Sequence, residues 1–190
     1  MKLERILPFA KTLLQKAVKN GDIVVDATIG NGHDTVFLAE LVGEHGKVYG
    51  FDVQEQAILA TKERLIQHSL LERTTLFHEG HERVTQNIPL EEHGKITGAI
   101  FNLGYLPGSD KNIITEPETT IDAVSQLLNI MAPEGIIVLV IYHGHDGGDI
   151  ERDALLNYCR HLDQKFAHVI RYQFINQQHN PPFIIAIEKR

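Results

Sequence analysis

The chain has 190 residues, with 25 Asp and Glu against 18 Lys and Arg, and its formal net charge is −7 at pH 7. This length predicts a single domain, residues 1–190, with one core, and it excludes a two-domain dehydrogenase or a kinase. The acidic balance argues against a protein that coats nucleic acid through its overall charge, but it is compatible with a local basic patch. The single cysteine, Cys159, excludes an internal disulfide and a cysteine-based zinc site, and it indicates a reducing compartment.

The first segment of the chain has apolar residues at helical spacing, with charged residues between them. This pattern predicts a helix packed on the domain rather than a signal peptide. No apolar run reaches the ~18 residues that a membrane span requires, so we expect a cytoplasmic protein. The apolar residues of this predicted helix are Leu3, Ile6, Leu7, Ala10, Leu13, Leu14 and Ala17.

Strands and helices alternate along the rest of the chain, after a helix stop at Asn20-Gly21. The predicted strands are 22–27, 47–52, 74–78, 96–101, 135–142, 167–175 and 183–188. The predicted helices are 34–42, 54–68, a short helix near Glu82, 117–131 with Thr115 or Glu116 as its cap, and 149–162. This order predicts an α/β, Rossmann-like fold. We expect a mostly parallel seven-stranded sheet with a C-terminal antiparallel hairpin and helices on both faces.

The loop after the first strand has the composition of a nucleoside-binding turn. Gly30 and Gly32 stand between this strand and the next helix, where glycine allows a tight turn and a close approach of the backbone to a ligand. Asp52 ends the second strand, where a carboxylate accepts hydrogen bonds from ribose hydroxyls. The alternative is a structural turn with a surface aspartate.

The neighbouring residues favour S-adenosylmethionine (SAM) over a dinucleotide. Thr35 occupies the position where a nicotinamide site prefers a third glycine, and the carboxylates of Asp26 and Asp34 would repel a pyrophosphate. The same carboxylates suit the sulfonium and ammonium groups of SAM. An NAD-linked reductase is the alternative.

Five motifs together resemble one family over essentially the whole chain. They are DATIGNGHDT (26–35), FDVQ (51–54), EGHE (79–82), FNLGYLPGSDK (101–111) and YHGHDGG (142–148). They are similar to those of the tRNA 5-aminomethyl-2-thiouridine methyltransferase family, whose members are class I SAM-dependent methyltransferases. The resemblance implies methylation of the amine of 5-aminomethyl-(2-thio)uridine at the wobble position of tRNA. It also implies contact with the tRNA anticodon region and a homodimer.

The resemblance also implies roles for individual residues. The residues implied to bind SAM are Asp26, Gly30, Asn31, Gly32, Asp34, Asp52, Gln54, His81 and Asn102. Asn102, Leu103 and Tyr105 stand at the position of the Asn-Pro-Pro-Tyr motif of amino-methylating enzymes, in which the Asn oxygen and the next carbonyl orient the target amine and the ring stacks on the base. Leu103 and Gly104 replace both prolines of that motif. The residues implied to bind substrate are Tyr105, Pro107, Gly108, His143, His145 and Gly147. The basic residues Lys111, Arg152 and Arg160 are candidates for contacts with the phosphates near the target base.

Other functions stay open from the residues alone. The methyl acceptor could instead be rRNA or a small-molecule amine, and the same loops could form a non-catalytic nucleotide-binding module. We expect no metal site, because His78, Glu79 and His81 lack the spacing of a zinc protease motif and His143 and His145 have no partner cluster. Bulk water, His143 or His145 could accept the proton of the target amine.

Overall fold

The computed structural model describes residues 2–104, 115–144 and 147–190. The strands found in these residues are β1 (Ile23–Asp26), β2 (Lys47–Phe51), β3 (Thr74–Phe77), β4 (Ile96–Leu103), β5 (Met131–Ile141), β6 (Ala167–Tyr172) and β7 (Phe183–Lys189). The α-helices are α1 (Ile6–Ala17), α2 (His33–Val42), α3 (Glu55–Gln67), α4 (Val84–Asn87), α5 (Pro117–Ile130) and α6 (Gly148–Arg160). None of the described helices is long and apolar enough to cross a membrane.

The described strands form one sheet in the order β3-β2-β1-β4-β5-β7-β6. The pairs from β3 to β5 are parallel, whereas β7 is antiparallel to both β5 and β6. The predicted Rossmann-like fold with a C-terminal antiparallel hairpin is therefore confirmed. The strand order reverses between β1 and β4, and ligands of such sheets bind beyond the carboxyl ends of the strands at this switch point.

Apolar side chains cover both faces of the sheet. Alternate residues of β4 point to opposite sides, so Phe101 belongs to the core beneath α5 and α6 while Ile100 belongs to the core beneath α1 and α2. α1 packs through Ile6, Ala10, Leu13 and Leu14, whereas Leu3 lies before the helix and is exposed. The predicted apolar stripe therefore begins one turn later than the spacing indicated.

The ends of several elements differ from the prediction for identifiable reasons. β4 extends to Leu103 because Asn102 and Leu103 continue the ladder with β5, so these two residues lie in a strand and not in the predicted loop. β5 begins at Met131, which pairs with Ile96 across a register shift. β6 ends at Tyr172 rather than at residue 175. α5 has Glu116 as its N-cap, one of the two caps predicted.

Candidate functional site

The loop after β1 turns sharply through two glycines in the left-handed region. Gly30 has a φ of 53° and Gly32 has a φ of 76°. A Cβ on Gly32 would lie 2.6 Å from the Oγ1 atom of Thr61, so the position also lacks space for a side chain. α3 fixes this loop from outside, because the Thr61 hydroxyl donates to the Gly30 carbonyl and Arg64 Nε donates to the Asn31 carbonyl. The predicted cofactor loop is thus a rigid turn, with Asn31 exposed at its tip.

Asp52 joins this loop to the end of β2. Its Oδ2 atom accepts the Gly30 N–H at 2.9 Å, and its Oδ1 atom accepts the Gln54 N–H at 2.9 Å. A carboxylate has about four acceptor positions, so both oxygens retain capacity for the hydroxyls of a ribose. The half-buried carboxylate and the backbone of Gly30 therefore fit the sugar of a nucleoside.

Asp26 lies beneath the loop and is fully buried. Its carboxylate accepts the Thr35 hydroxyl at 2.7 Å and the Thr28 N–H at 3.3 Å. Burial, together with the nearby charge of Asp34, raises the pKa of Asp26 to about 7. The described contacts of Asp26 hold the loop and the start of α2. A positively charged ligand at this position would favour its ionised form.

Asp34 connects the first turn of α2 to the end of β4. The Asn102 Nδ2 atom donates to Asp34 Oδ2 at 2.8 Å, and Lys11 of α1 lies 3.7 Å from the other carboxylate oxygen. An ionised carboxylate only accepts hydrogen bonds, so the amide nitrogen of Asn102 must face Asp34. Among the residues that the structure describes, no donor is found for the oxygen of the same amide, which leaves it as an acceptor for a substrate.

The backbone around Asn102 is held on both sides. Its N–H donates to the Thr28 hydroxyl at 2.6 Å. The Leu103 carbonyl accepts the Tyr142 N–H at 3.1 Å, so the proposed acceptor at Leu103 has one hydrogen bond already and one lone pair left. Gly104 exchanges two hydrogen bonds with Thr115, whose hydroxyl also donates to the buried carboxylate of Glu151. Gly104 is thus anchored to α6 through Thr115.

Two histidines at this edge are almost fully buried. His81 Nδ1 bonds to the Ala27 carbonyl at 3.0 Å, and its ring meets the Phe101 ring edge-on at 5.3 Å. A carbonyl only accepts, so Nδ1 carries the proton and Nε2 is an acceptor. No hydrogen-bond partner for Nε2 is found among the described residues. Burial lowers the pKa of His81, which keeps this acceptor unprotonated near neutral pH.

His143, the residue after Tyr142, is the second buried histidine. Neither of its ring nitrogens has a hydrogen-bond partner within 2–104, 115–144 and 147–190. Burial and the charge of Arg152 lower the pKa of His143, and its ring lies 5.5 Å from that of Phe183. His143 is therefore a neutral imidazole near neutral pH, with one N–H donor and one acceptor nitrogen, and its ring lies near the backbone of Pro181.

The remaining predicted residues divide into two groups. Gln54 caps α3, and Gly147 caps α6 with a φ of 80°. Tyr105, Pro107, Gly108, Lys111 and His145 lie outside the described residues.

Tyr142 belongs to the same edge, although sequence reasoning gave it no role. It is 37% exposed at the end of β5, and burial and the charge of Asp34 raise its pKa. Its signal in the sequence was an aromatic residue at the end of the most apolar predicted strand.

Comparison with known proteins identifies close relatives of the whole chain. Residues 48–188 match the family described as "Putative rRNA methylase". A chloroplastic tRNA (mnm(5)s(2)U34)-methyltransferase of Arabidopsis thaliana is 32% identical over 188 residues, which cover 95% of this chain and 68% of the relative.

Solved structures agree with this match. A Clostridium thermocellum structure described as a "putative rRNA-methylase" has 43% identity and a TM-score of 0.96, with full coverage of both chains. A methyltransferase from Streptococcus mutans, solved in complex with SAH, has 39% identity and a TM-score of 0.89 over 99% of each chain.

Proposed function

Because the chain belongs to this family of SAM-dependent RNA methyltransferases, we propose that it methylates the amine of 5-aminomethyl-(2-thio)uridine at the wobble position of tRNA. SAM is the cofactor, since the similar Streptococcus mutans protein was solved with SAH and the family is one of methyltransferases. The name of the Arabidopsis thaliana relative, which covers most of this chain, supports the specific reaction. We further propose a homodimer of single-domain subunits, in agreement with the family resemblance.

The observation that carries this proposal is the fixed amide of Asn102. Its nitrogen is committed to Asp34 at 2.8 Å, which leaves its oxygen as a hydrogen-bond acceptor at the switch point of the sheet. An acceptor of this kind suits a primary amine, which keeps its lone pair for attack while it donates an N–H to the oxygen. Alignment of this sort supplies a large part of the rate in a displacement at a carbon with a good leaving group.

The residues of the site divide the work between cofactor and acceptor. When bound, SAM supplies a methyl group activated by its sulfonium. Asp52 has the capacity to accept the ribose hydroxyls, and the unpartnered Nε2 of His81 suits the amino group of adenine. Asn102 Oδ1 orients the target amine, which must be neutral because a protonated amine has no lone pair. His143 is unprotonated near neutral pH and suits the role of proton acceptor.

The decisive experiment is nucleoside analysis of methylated tRNA. Purified protein is incubated with labelled SAM and with tRNA from cells that lack the 5-aminomethyluridine methylation. We expect the label in 5-methylaminomethyl-(2-thio)uridine and loss of the aminomethyl precursor by mass spectrometry. Labelled tRNA with an unchanged amount of the aminomethyl nucleoside would contradict the proposed target.

Ribosomal RNA is the second candidate acceptor, because the family description names an rRNA methylase. A ribosomal RNA small subunit methyltransferase H of Oenococcus oeni is 36% identical over 89 residues, but these cover only 46% of this chain and 28% of that protein. An arm of the same assay with undermethylated ribosomal RNA separates the two acceptors. Incorporation into rRNA alone would favour the second candidate.

A further inference from the structure

A groove between α6 and β6 carries an arginine on each of its walls. Arg160 lies on the α6 side, and Arg171 lies on the β6 side. The groove encloses about 300 Å³, and its other lining residues are apolar apart from backbone atoms: Leu156, Cys159, Val169, Ile170 and Ile185. It therefore combines an apolar floor with a positively charged rim.

A third arginine extends this rim along α6. Arg152, Leu156 and Arg160 are four residues apart and therefore share one face of the helix. The eight residue steps from Arg152 to Arg160 correspond to a rise of about 12 Å. Arg171 faces them, with its guanidinium 4.2 Å from the centre of the Phe183 ring. Burial, together with the charges of Arg152 and Arg160, lowers the pKa of Arg171, which indicates that the three cations lie close together.

Acidic side chains neutralise this cluster only in part. Arg152 forms a close ion pair with Asp153, and Asp149 also lies near Arg152. The charge of Asp153 reaches Arg160 as well. Neither Arg160 nor Arg171 forms an ion pair within the part of the chain that the structure describes. Three arginines thus oppose two aspartates, in a chain whose net charge is −7.

The Arg171 end of the groove lies toward the candidate site. β6 is antiparallel to β7, which is antiparallel to β5, so β6 runs in the direction of β5. Arg171 near the end of β6 therefore lies toward the edge at which β5 ends. Phe183 pairs with Ile141 of β5 and links the two regions, because its ring contacts both His143 and Arg171.

We propose that this groove binds the sugar-phosphate backbone of the RNA substrate next to the target nucleotide, with Arg160 and Arg171 on phosphates and a base against the apolar floor. The inference rests on the proposed function, because it takes RNA as the acceptor. Guanidinium groups bind phosphate oxygens in a bidentate manner, and apolar surfaces beside cations are typical of grooves that hold single-stranded nucleic acid. A symmetric contact between two copies centred on this groove would place like charges together, which disfavours a second subunit as the occupant.

The test measures RNA binding separately from catalysis. Arg160→Gln and Arg171→Gln remove one positive charge each, and Arg73→Gln is the matched control because Arg73 precedes β3 at the opposite edge of the sheet. Fluorescence anisotropy with end-labelled tRNA gives the Kd in the presence of SAH, over a salt series. We expect each groove variant to raise the Kd about tenfold. The slope of log Kd against log salt should fall by about 0.7 to 0.9 per variant, whereas the control keeps both values.

Each outcome decides the proposal. If the wild-type protein binds and methylates RNA but the Kd is unchanged in both groove variants, the groove does not bind the RNA backbone. The proposed function then remains intact. A wild-type protein that neither binds nor methylates tRNA or rRNA overturns both. Loss of a dimer in sedimentation of the groove variants would identify the groove as a subunit interface and would also overturn it. Unchanged SAM affinity by calorimetry confirms that the variants are folded.

Discussion

The hydrogen bond from Asn102 Nδ2 to Asp34 Oδ2, 2.8 Å long, provides the sharpest test of the proposed chemistry. A hydrogen bond to a charged partner contributes about 1.5–3 kcal/mol, and here it fixes which end of the amide faces the substrate. Asn102→Ala removes the acceptor for the target amine, so we expect kcat to fall about 10- to 100-fold. Asp34→Ala keeps the Asn102 oxygen as acceptor but no longer fixes the orientation of the amide, and we expect kcat to fall about tenfold.

The double variant separates positioning from independent catalysis. Because Asp34 acts on the amine through Asn102, the double variant should be no slower than Asn102→Ala alone. The assay is the initial rate of methyl transfer from labelled SAM to tRNA at saturating concentrations of both, with SAM affinity measured by calorimetry. Multiplicative losses in the double variant would refute the positioning role. An equal loss of SAM affinity and kcat in Asn102→Ala would show that Asn102 has a structural role at the end of β4.

A second asparagine–carboxylate pair supplies the control. Asn87 Nδ2 donates to Glu79 Oε2 at 3.0 Å, at an exposed position on α4. Asn87→Ala removes the same type of bond without contact to Asp34 or Asn102. We expect its kcat to stay within about twofold of wild type, because exposed pairs of this kind contribute little.

Three further predictions concern the loop after β1 and the residues that hold it, with Gly21, which precedes β1, as a comparison. Asp52→Ala should weaken SAM binding about tenfold or more, and unchanged affinity in calorimetry would exclude a ribose contact. Gly21→Ala, which has open space but a φ of 92°, should lower the free energy of unfolding by about 1–2 kcal/mol in urea. Gly32→Ala adds the clash with Thr61 and should cost about 1–3 kcal/mol more, so equal losses would contradict the packing. Asp26 has a pKa of about 7 in the folded protein, above its value in the unfolded chain. Between these two pKa values the folded protein keeps a proton that the unfolded chain has released, so stability decreases as the pH rises. The unfolding free energy of wild type relative to Asp26→Asn should therefore fall by up to about 1.4 kcal/mol per pH unit between about pH 5 and 6, and about half as steeply at pH 7, and a rise would refute the buried acid.

Local patterns predicted the fold because the spacing of apolar residues in each segment is typical of either a helix or a strand. The strand and helix alternation and the closing hairpin follow from that spacing, and the observed sheet agrees with them. Strand ends were harder to predict, since pairing with a neighbour decides them. The polar Asn102 predicted the end of β4. Asn102 and Leu103 nevertheless extend this strand, because they pair with Val140 and Ile141 of β5.

The chemistry of the site was only partly visible in the sequence. Asp52 and Gly30 were predicted from spacing, but their direct hydrogen bond depends on the curvature of the loop. The contact between Asp34 and Asn102 joins residues 68 positions apart, so no local sequence pattern predicts it. Arg171 was missed for the same reason, because it meets α6 only after β6 and β7 have paired.

The distribution of charge gives the acidic composition a physical meaning. A chain with a net charge of −7 repels RNA at long range, so association gains little from electrostatic steering. Arg152, Arg160 and Arg171 lie together where α6 faces β6, and Arg171 and Arg152 lie near His143. Binding should then depend on a few phosphate contacts and on the target nucleotide itself. Such a surface would select RNA by the geometry of the site, because the overall charge of the chain adds no attraction of its own.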